Sequence, residues 1–175
     1  ERLDLYLLHW RGSVPFAETL AAFETLQRTG KIRYFGVSNL DLADMQELWS
    51  ATHGPRVQTN QLLYNLSRRG IEWDLQPWLR QRGVPVMAYS PIEQGRLLRD
   101  PKLIKFAERH GMTAAQAALA WLLSRDDVIV IPKTGNRTRL RENFGALDIP
   151  LNDEQRAELD QSFPPPNHAT PLAML

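Results

Sequence analysis

Five short runs of aliphatic and β-branched residues recur along this chain, and segments with helical periodicity separate them. The runs are residues 3–8, 32–37, 56–60, 84–88 and 128–131. Each run has the length and composition of a buried strand. Strands that alternate with helices in units of about thirty residues are typical of parallel α/β architecture. The alternation therefore predicts a parallel sheet covered by helices.

The segments between and after these runs are predicted to be helices. The predicted helices are residues 16–29, 40–50, 71–82, 102–109, 113–124, 138–144 and 153–162. Asp41, Thr113 and Asn152 have side chains that accept hydrogen bonds from the first N–H groups of a helix, so we predict that they are N-caps. Gly30 and Gly83 stand where the first and third helices are expected to end.

Two folds can be built from this alternation, an open doubly wound sheet and a (β/α)8 barrel. A doubly wound dinucleotide-binding sheet is expected to carry a G-x-G-x-x-G sequence after its first strand, and that sequence is absent. The barrel is therefore favoured. A complete barrel has eight strands and typically about 250 residues, whereas this chain has 175 residues and supplies five strands. We expect a partial barrel, with three further βα units preceding Glu1.

The composition is that of a globular domain and excludes several classes of function. Hydrophobic residues make up 43% of the chain, and 21 Lys and Arg against 20 Asp and Glu leave a net charge of +1. The basic residues are scattered, so nothing indicates nucleic-acid binding. No apolar run has the length of a membrane span, and no signal peptide opens the chain. The absence of cysteine excludes disulfides and thiolate metal sites and suggests a cytoplasmic protein.

Polar side chains stand at the end of every predicted strand. In a barrel the reactive residues lie at these ends, because only that rim faces the ligand pocket. The residues at the five ends are His9 and Trp10, Ser38 and Asn39, Asn60 and Gln61, Tyr89 and Ser90, and Lys133 and Thr134. A rim of loops is often polar for structural reasons alone, but five polar ends in phase favour a binding site.

Five stretches of the sequence resemble the aldo-keto reductase superfamily, from its fourth barrel strand to its C-terminal tail. They are "DLYLLHW", "GKIRYFGVSN", "QTNQLLYNL", "AYSPIEQGRL" and "VIVIPKTGNRTRLREN", in the family's order and spacing. The resemblance implies a (β/α)8 barrel that reduces carbonyl compounds with NADPH and without a metal ion. It also divides the chain into a barrel part, residues 1–163, and a proline-rich tail, residues 164–175.

The resemblance implies that His9 is the active-site histidine, which orients the substrate carbonyl by donating a hydrogen bond. Trp10 would form a wall of the substrate pocket, although packing of the loop would equally explain it. Ser38, Asn39 and Gln61 match the residues that hold the nicotinamide carboxamide, a group that needs donors and acceptors in fixed positions.

The resemblance also assigns residues at the end of the fourth strand. Tyr89 matches the aromatic residue on which the nicotinamide ring stacks. Ser90, Ile92 and Gly95 fall in the loop that covers the pyrophosphate, where small residues let backbone amides approach phosphate oxygens.

The stretch after the fifth strand matches the part of the site that holds the adenosine half of the cofactor. The implied ligands are Lys133, Thr134, Asn136 and Arg139 at the 2′-phosphate and Glu142 and Asn143 at the adenine edge. Two cations with a hydroxyl and an amide suit a phosphate dianion better than a ribose diol, so we expect NADPH rather than NADH. Taken alone, this stretch would be an ordinary polar start of a helix.

The catalytic residues of the family are only partly matched. The family uses an aspartate, a tyrosine, a lysine and the histidine, and the first three belong to its N-terminal half, so this chain alone is predicted to be inactive. We expect the full-length protein to be a monomer that acts on a small carbonyl compound, and the present chain to self-associate through its open barrel edges. Two other interpretations remain, a regulatory subunit that binds nucleotide without turnover and a half-barrel interaction module.

Overall fold

Five parallel strands lie in chain order in a single sheet in the computed structural model, which describes residues 1–175. The strands are β1 (Leu3–Leu8), β2 (Ile32–Ser38), β3 (Asn60–Leu63), β4 (Val86–Tyr89) and β5 (Val128–Val130). Each strand pairs with the next one along the chain. A doubly wound sheet reverses its strand order at one point, whereas a barrel wall does not. The prediction of a partial (β/α)8 barrel is therefore confirmed.

Helices follow the strands and cover the sheet. They are α1 (Phe16–Arg28), α2 (Leu42–Ser50), α3 (Leu75–Arg80), α4 (Pro101–Arg109), α5 (Ala114–Leu123), α6 (Arg137–Phe144) and α7 (Asp153–Ser162). The three predicted N-caps are confirmed, because the side chains of Asp41, Thr113 and Asn152 each accept a backbone N–H of their helix. Gly30 and Gly83 have left-handed φ angles of 71° and 66° and end the segments before β2 and β4.

The third strand and the third helix differ from their predicted bounds. Residues 56–60 were predicted as the strand, but β3 begins at Asn60 and continues to Leu63. Pro55 lies in a 3-10 turn, Gly54–Arg56, which delays the strand, and the apolar residues after Gln61 extend it. The helix predicted over 71–82 is divided into a 3-10 turn, Gly70–Glu72, and the short α3.

The core lies between the inner strands and the helices. Val37 of β2, Leu62 of β3 and Ala88 of β4 are fully buried, and so is Trp121 of α5. Parallel strands need cover on both faces, which explains why α5 is apolar almost throughout. The sheet has two unpaired edges, β1 and β5. Leu3, which belongs to β1, is 56% exposed, so the apolar side of this edge lacks cover within the chain.

Arg69 ties the segment after β3 to two distant helices. Its guanidinium group donates to Glu72 and to Asp160 of α7, at 2.8 Å in both cases, and to the carbonyl oxygen of Phe163. The same group lies over the ring of Trp121 in α5, 4.9 Å from the ring centroid. Because Arg69 is 6% exposed, these partners replace the water that a buried charge loses.

We expect Arg69→Met to lower the free energy of unfolding by about 3 kcal/mol, because it leaves the half-buried carboxylate of Glu72 with the Tyr64 hydroxyl as its remaining partner. Urea unfolding measures the change. Arg80→Met is the matched control, since Arg80 is exposed and lies 3.6 Å from an exposed carboxylate, that of Asp127. Such surface pairs contribute less than about 1 kcal/mol. Equal losses in the two variants would contradict a special role for Arg69.

Candidate active site

The register of the strands brings most of the predicted rim residues to one edge of the sheet. Ser38, the last residue of β2, lies beside Gln61 of β3, and Gln61 lies beside Met87 of β4. Asn60 and Gln61 were expected at the end of the third strand, whereas the structure makes them its first two residues. Gln61 nevertheless reaches the rim, because β3 begins where β2 ends.

Asn39 joins the ends of three strands. Its Nδ2 group donates to the His9 carbonyl at 3.2 Å and to the Ser38 hydroxyl at 3.0 Å. Its Oδ1 atom accepts the hydroxyl of Tyr89 at 3.0 Å, and its backbone N–H donates to the Gln61 carbonyl at 3.0 Å. Asn39 has a φ of 57°, in the left-handed region that asparagine adopts more readily than other side chains. The end of β1, the end of β2 and the end of β4 thus form one hydrogen-bonded group.

His9 and Trp10 follow β1 and are both exposed. Their ring centroids are 5.2 Å apart, and both residues line an open hollow with Tyr6 and Val14. The main chain of His9 is held by Asn39, whereas its imidazole has no hydrogen-bond partner in the chain. The imidazole is therefore free to donate a hydrogen bond to a ligand at the rim.

The side chains of Ser38, Gln61 and Tyr89 stand around Asn39. Ser38 is 2% exposed and donates its hydroxyl to the Gln61 carbonyl at 2.9 Å. The side-chain Nε2 group of Gln61 donates to the sulfur of Met87 at 3.0 Å. The side-chain oxygen of Gln61, Oε1, remains available. Burial raises the pKa of the Tyr89 hydroxyl, and the nearby backbone amide of Leu175 opposes this effect. The hydroxyl of Tyr89 is therefore protonated at neutral pH and can act as a donor.

A buried glutamate that the sequence does not predict, Glu93, holds the loop after β4. Glu93 is 4% exposed. Its carboxylate accepts hydrogen bonds from Arg68 and Arg96, both at 2.9 Å, and from Asn65 at 2.8 Å. Asn65 also donates to the carbonyl of Ser90 at 2.9 Å. No local pattern marks this role, since a glutamate in a polar loop is ordinarily exposed.

The same loop has an unusual backbone. Ser90, Glu93 and Gln94 have φ angles of 49°, 50° and 53°, and Gly95 has a φ of 85°. Only Gly95 adopts such angles without strain. Ile92 packs against the core, so the loop is held by apolar contact as well as by the Glu93 hydrogen bonds.

The residues predicted at the 2′-phosphate lie in the segment after β5 and in the first turn of α6. Asn136 is the N-cap of α6, and its Oδ1 accepts the backbone N–H groups of Thr138 and Arg139 at 2.9 and 3.1 Å. Its own N–H donates to the Thr134 hydroxyl at 3.1 Å. Lys133 and Arg139 are exposed and form no ion pair. Their charges therefore remain available to an anion.

Glu142 and Asn143 lie further along α6, and both are half-buried. Asn143 lines an apolar hollow that also includes Val130 and Leu140. No hydrogen bond joins this group to the Asn39 cluster. Apart from the loop after β4, the predicted site residues thus form two separate groups, one at the rim around Asn39 and one at the start of α6.

Two further features bear on the kind of site. No three acidic or histidine side chains are placed to hold a metal ion. No helix combines the length and the apolar character that crossing a membrane requires.

Solved structures share this fold. The crystal structure of an aldo/keto reductase from Klebsiella pneumoniae in complex with NADP and acetate matches with a TM-score of 0.96 and 47% sequence identity. The match covers 99% of this chain and 63% of that one. The fold is therefore that of part of an α/β barrel.

Sequence comparison identifies the family. The model of the aldo/keto reductase family matches residues 1–163. Methylglyoxal reductase YeaE of Escherichia coli is 48% identical over 99% of this chain, and glyoxal reductase of Bacillus subtilis is 35% identical over 90%. The chain belongs to the aldo/keto reductase family. It spans 63% and 56% of the length of these two relatives.

The Glu93 cluster predicts a pH-dependent contribution to stability. Burial alone would raise the pKa of Glu93, but hydrogen bonds from Arg68 and Asn65 more than offset burial and lower the pKa below its usual value. A group with a lowered folded-state pKa stabilises the fold above its unfolded-state pKa, and this contribution is lost as the pH falls through the folded-state pKa. We therefore expect Glu93→Gln to lower the free energy of unfolding by about 2 kcal/mol at neutral pH.

Urea unfolding at a series of pH values checks this expectation. The difference between Glu93→Gln and the unsubstituted protein should shrink as the pH falls from the unfolded-state pKa of a glutamate to the lower folded-state pKa of Glu93. Only below that folded-state pKa do both proteins carry a neutral side chain at this position. Glu108→Gln is the control, since Glu108 is an exposed residue of α4 without an ion pair, and it should change little. A difference that stays constant with pH would show that the charge of Glu93 contributes nothing.

Proposed function

We propose that this chain is the cofactor-binding part of an NADPH-dependent reductase of aldehydes or ketones. The observation that supports this most directly is the hydrogen-bonded group around Asn39, which holds the ends of three strands next to the free imidazole of His9. A reductase of this family needs such a group, because nicotinamide and carbonyl have to be held in contact and in a fixed orientation.

The rim residues fit a nicotinamide nucleotide. Tyr89 presents a half-buried aromatic ring on which a nicotinamide can stack. Gln61 retains a free amide oxygen, and Ser38 and Asn39 hold their polar atoms next to it. These side chains together can meet a carboxamide, which has both donors and an acceptor. Ser90, Ile92 and Gly95 would lie along the pyrophosphate.

His9 has the role of a hydrogen-bond donor in this proposal. When bound, NADPH supplies a hydride to the carbonyl carbon, and a proton then has to reach the carbonyl oxygen. The imidazole of His9 donates a hydrogen bond to that oxygen and stabilises the negative charge that develops on it. Trp10, 5.2 Å from His9 between ring centroids, would exclude water from the same place. The residues that deliver the proton would belong to another part of the protein.

The cationic start of α6 supports NADPH over NADH. Lys133 and Arg139 are exposed and unpaired, and the first turn of α6 contains no acidic residue. Thr134 adds a hydroxyl. A dianionic 2′-phosphate gains from two such cations, whereas a ribose diol does not.

We propose that these sites lie on a barrel to which this chain contributes five of the eight strands. The chain spans 63% of the length of YeaE, and β1 has an unpaired edge with exposed apolar side chains, among them Leu3, Leu5 and Tyr6. Three further βα units would pair with this edge and cover these side chains. We propose a cytoplasmic monomer for the full-length protein, with small carbonyl compounds as substrates, as the names of the methylglyoxal and glyoxal reductases suggest.

Nucleotide titration of the full-length protein, followed by tryptophan fluorescence, tests the cofactor. We expect tighter binding of NADPH than of NADH, and we expect Arg139→Ala to weaken NADPH binding by about tenfold with little effect on NADH, because it removes a charge-assisted contact. Arg141→Ala is the matched control, since Arg141 lies two residues further along α6 and therefore on another face. Equal affinity for both nucleotides in the unsubstituted protein would refute the 2′-phosphate assignment.

Steady-state kinetics with a small aldehyde test the histidine. We expect His9→Gln to lower kcat/KM by about 100-fold or more, as the loss of a positioned donor does, while NADPH affinity is retained. His168→Gln, in the exposed tail, should leave both quantities unchanged. Full activity of His9→Gln would remove His9 from the reaction.

A second candidate function is that of an interaction module without turnover. The exposed apolar side chains on both edge strands favour it, with Leu3 of β1 56% exposed and Ile129 of β5 44% exposed. On this alternative the chain by itself pairs with another chain through its open edges. On this alternative the full-length protein would bind neither NADPH nor NADH. Nucleotide titration therefore distinguishes the interaction module from the reductase.

A further inference from the structure

We propose that Tyr89 is a positioning residue for Asn39, in addition to any contact with a cofactor. Its hydroxyl group helps to hold the Asn39 amide in place, and through this amide it helps to hold the main chain at His9. The inference rests on the proposed function and deepens it, because it assigns separate roles to the ring and to the hydroxyl of one side chain.

The hydrogen bonds of the Asn39 amide allow only one orientation. Both N–H donors of Nδ2 are used, one by the carbonyl of His9 at 3.2 Å and one by the hydroxyl of Ser38 at 3.0 Å. Oδ1 accepts the Tyr89 hydroxyl at 3.0 Å. Rotating the amide by half a turn would set its oxygen against the His9 carbonyl, and two acceptors cannot bond to each other.

Burial makes the contribution of the Tyr89 hydroxyl hard to replace. Asn39 is 7% exposed, so water has little access to its oxygen, and a buried acceptor without a donor is costly. The hydroxyl comes from β4, fifty residues further along the chain. The raised pKa of Tyr89 keeps the proton on this donor at neutral pH.

The consequence reaches His9. Since the imidazole of His9 has no partner of its own, the hydrogen bond from Asn39 to the His9 carbonyl is the polar contact that holds this residue at the rim. Loss of the Tyr89 hydroxyl leaves the buried Asn39 oxygen without a donor and removes one of the three contacts that hold the amide. The amide then holds the His9 carbonyl less firmly, which loosens His9 relative to the substrate carbonyl that it orients. Turnover should suffer more than nucleotide binding, because the aromatic ring is still present.

Tyr89→Phe in the full-length protein separates the hydroxyl from the ring. We expect kcat for a small aldehyde to fall by about tenfold, and the Kd for NADPH to change by less than about threefold, since one hydrogen bond is lost and the stacking surface is kept. Tyr34→Phe is the matched control, because Tyr34 is 41% exposed and its hydroxyl has no partner. An unchanged kcat in Tyr89→Phe would overturn the proposal.

A double-mutant cycle tests whether Tyr89 acts through Asn39. Asn39→Gly is the suitable partner variant, because glycine tolerates the positive φ at this position. If the hydroxyl acts through the Asn39 amide, adding Tyr89→Phe to Asn39→Gly lowers kcat no further. Losses that multiply in the double variant would show that the two residues act independently and would overturn the proposal.

An NMR measurement tests the contact between Tyr89 and Asn39 independently of the proposed function. The NMR signals of the Asn39 side-chain amide, recorded without nucleotide, should shift in Tyr89→Phe and stay in place in Tyr34→Phe. Unchanged signals in Tyr89→Phe would overturn the inference, even in an active reductase. Shifted signals in a protein that binds no nucleotide would refute the proposed function and leave the coupling of Tyr89 to Asn39 standing.

Discussion

Parallel pairing of five short strands is the constraint on which the rest of this structure depends. Parallel neighbours require a crossover between them, so helices cover the sheet and the carboxyl ends of the strands meet at one edge. The stagger of β3 adds a second condition, because its first residues lie beside the last residues of β2. Only this arrangement brings Gln61 to Ser38 and lets Tyr89 of β4 reach Asn39 across fifty residues of chain.

Two buried charges hold the loops that follow the inner strands. Arg69 connects the segment after β3 to α7 and to the Trp121 ring, and Glu93 connects the loop after β4 to Arg68 and Asn65. A buried ion pair contributes little net stability, but every alternative arrangement that leaves one partner alone is strongly disfavoured. These charges therefore select one conformation of the loops next to the rim, which a site for ligand orientation requires.

The two groups of site residues differ in a way that matches their proposed tasks. The group around Asn39 is buried and hydrogen-bonded, so its geometry exists before any ligand arrives, and hydride transfer depends on such preorganisation. The cations at the start of α6 are exposed and unpaired. Recognition of a phosphate relies mainly on charge, so side chains that are not fixed by other contacts can still provide it. The positive charges of Lys133 and Arg139 attract an anion over a distance.

The sequence by itself determined the alternation of strands and helices, the barrel class, the family resemblance and the caps at Asp41, Thr113 and Asn152. These are local signals, since a strand, a helix or a cap depends on residues a few positions apart. The start of β3 was predicted wrongly, because the 3-10 turn over Gly54–Arg56 delays the strand. Only the tertiary structure decided that Glu93 is buried among arginines and that the Tyr89 hydroxyl meets Asn39. The partners in these contacts are distant in the chain, and no local pattern specifies which donor a buried acceptor will meet.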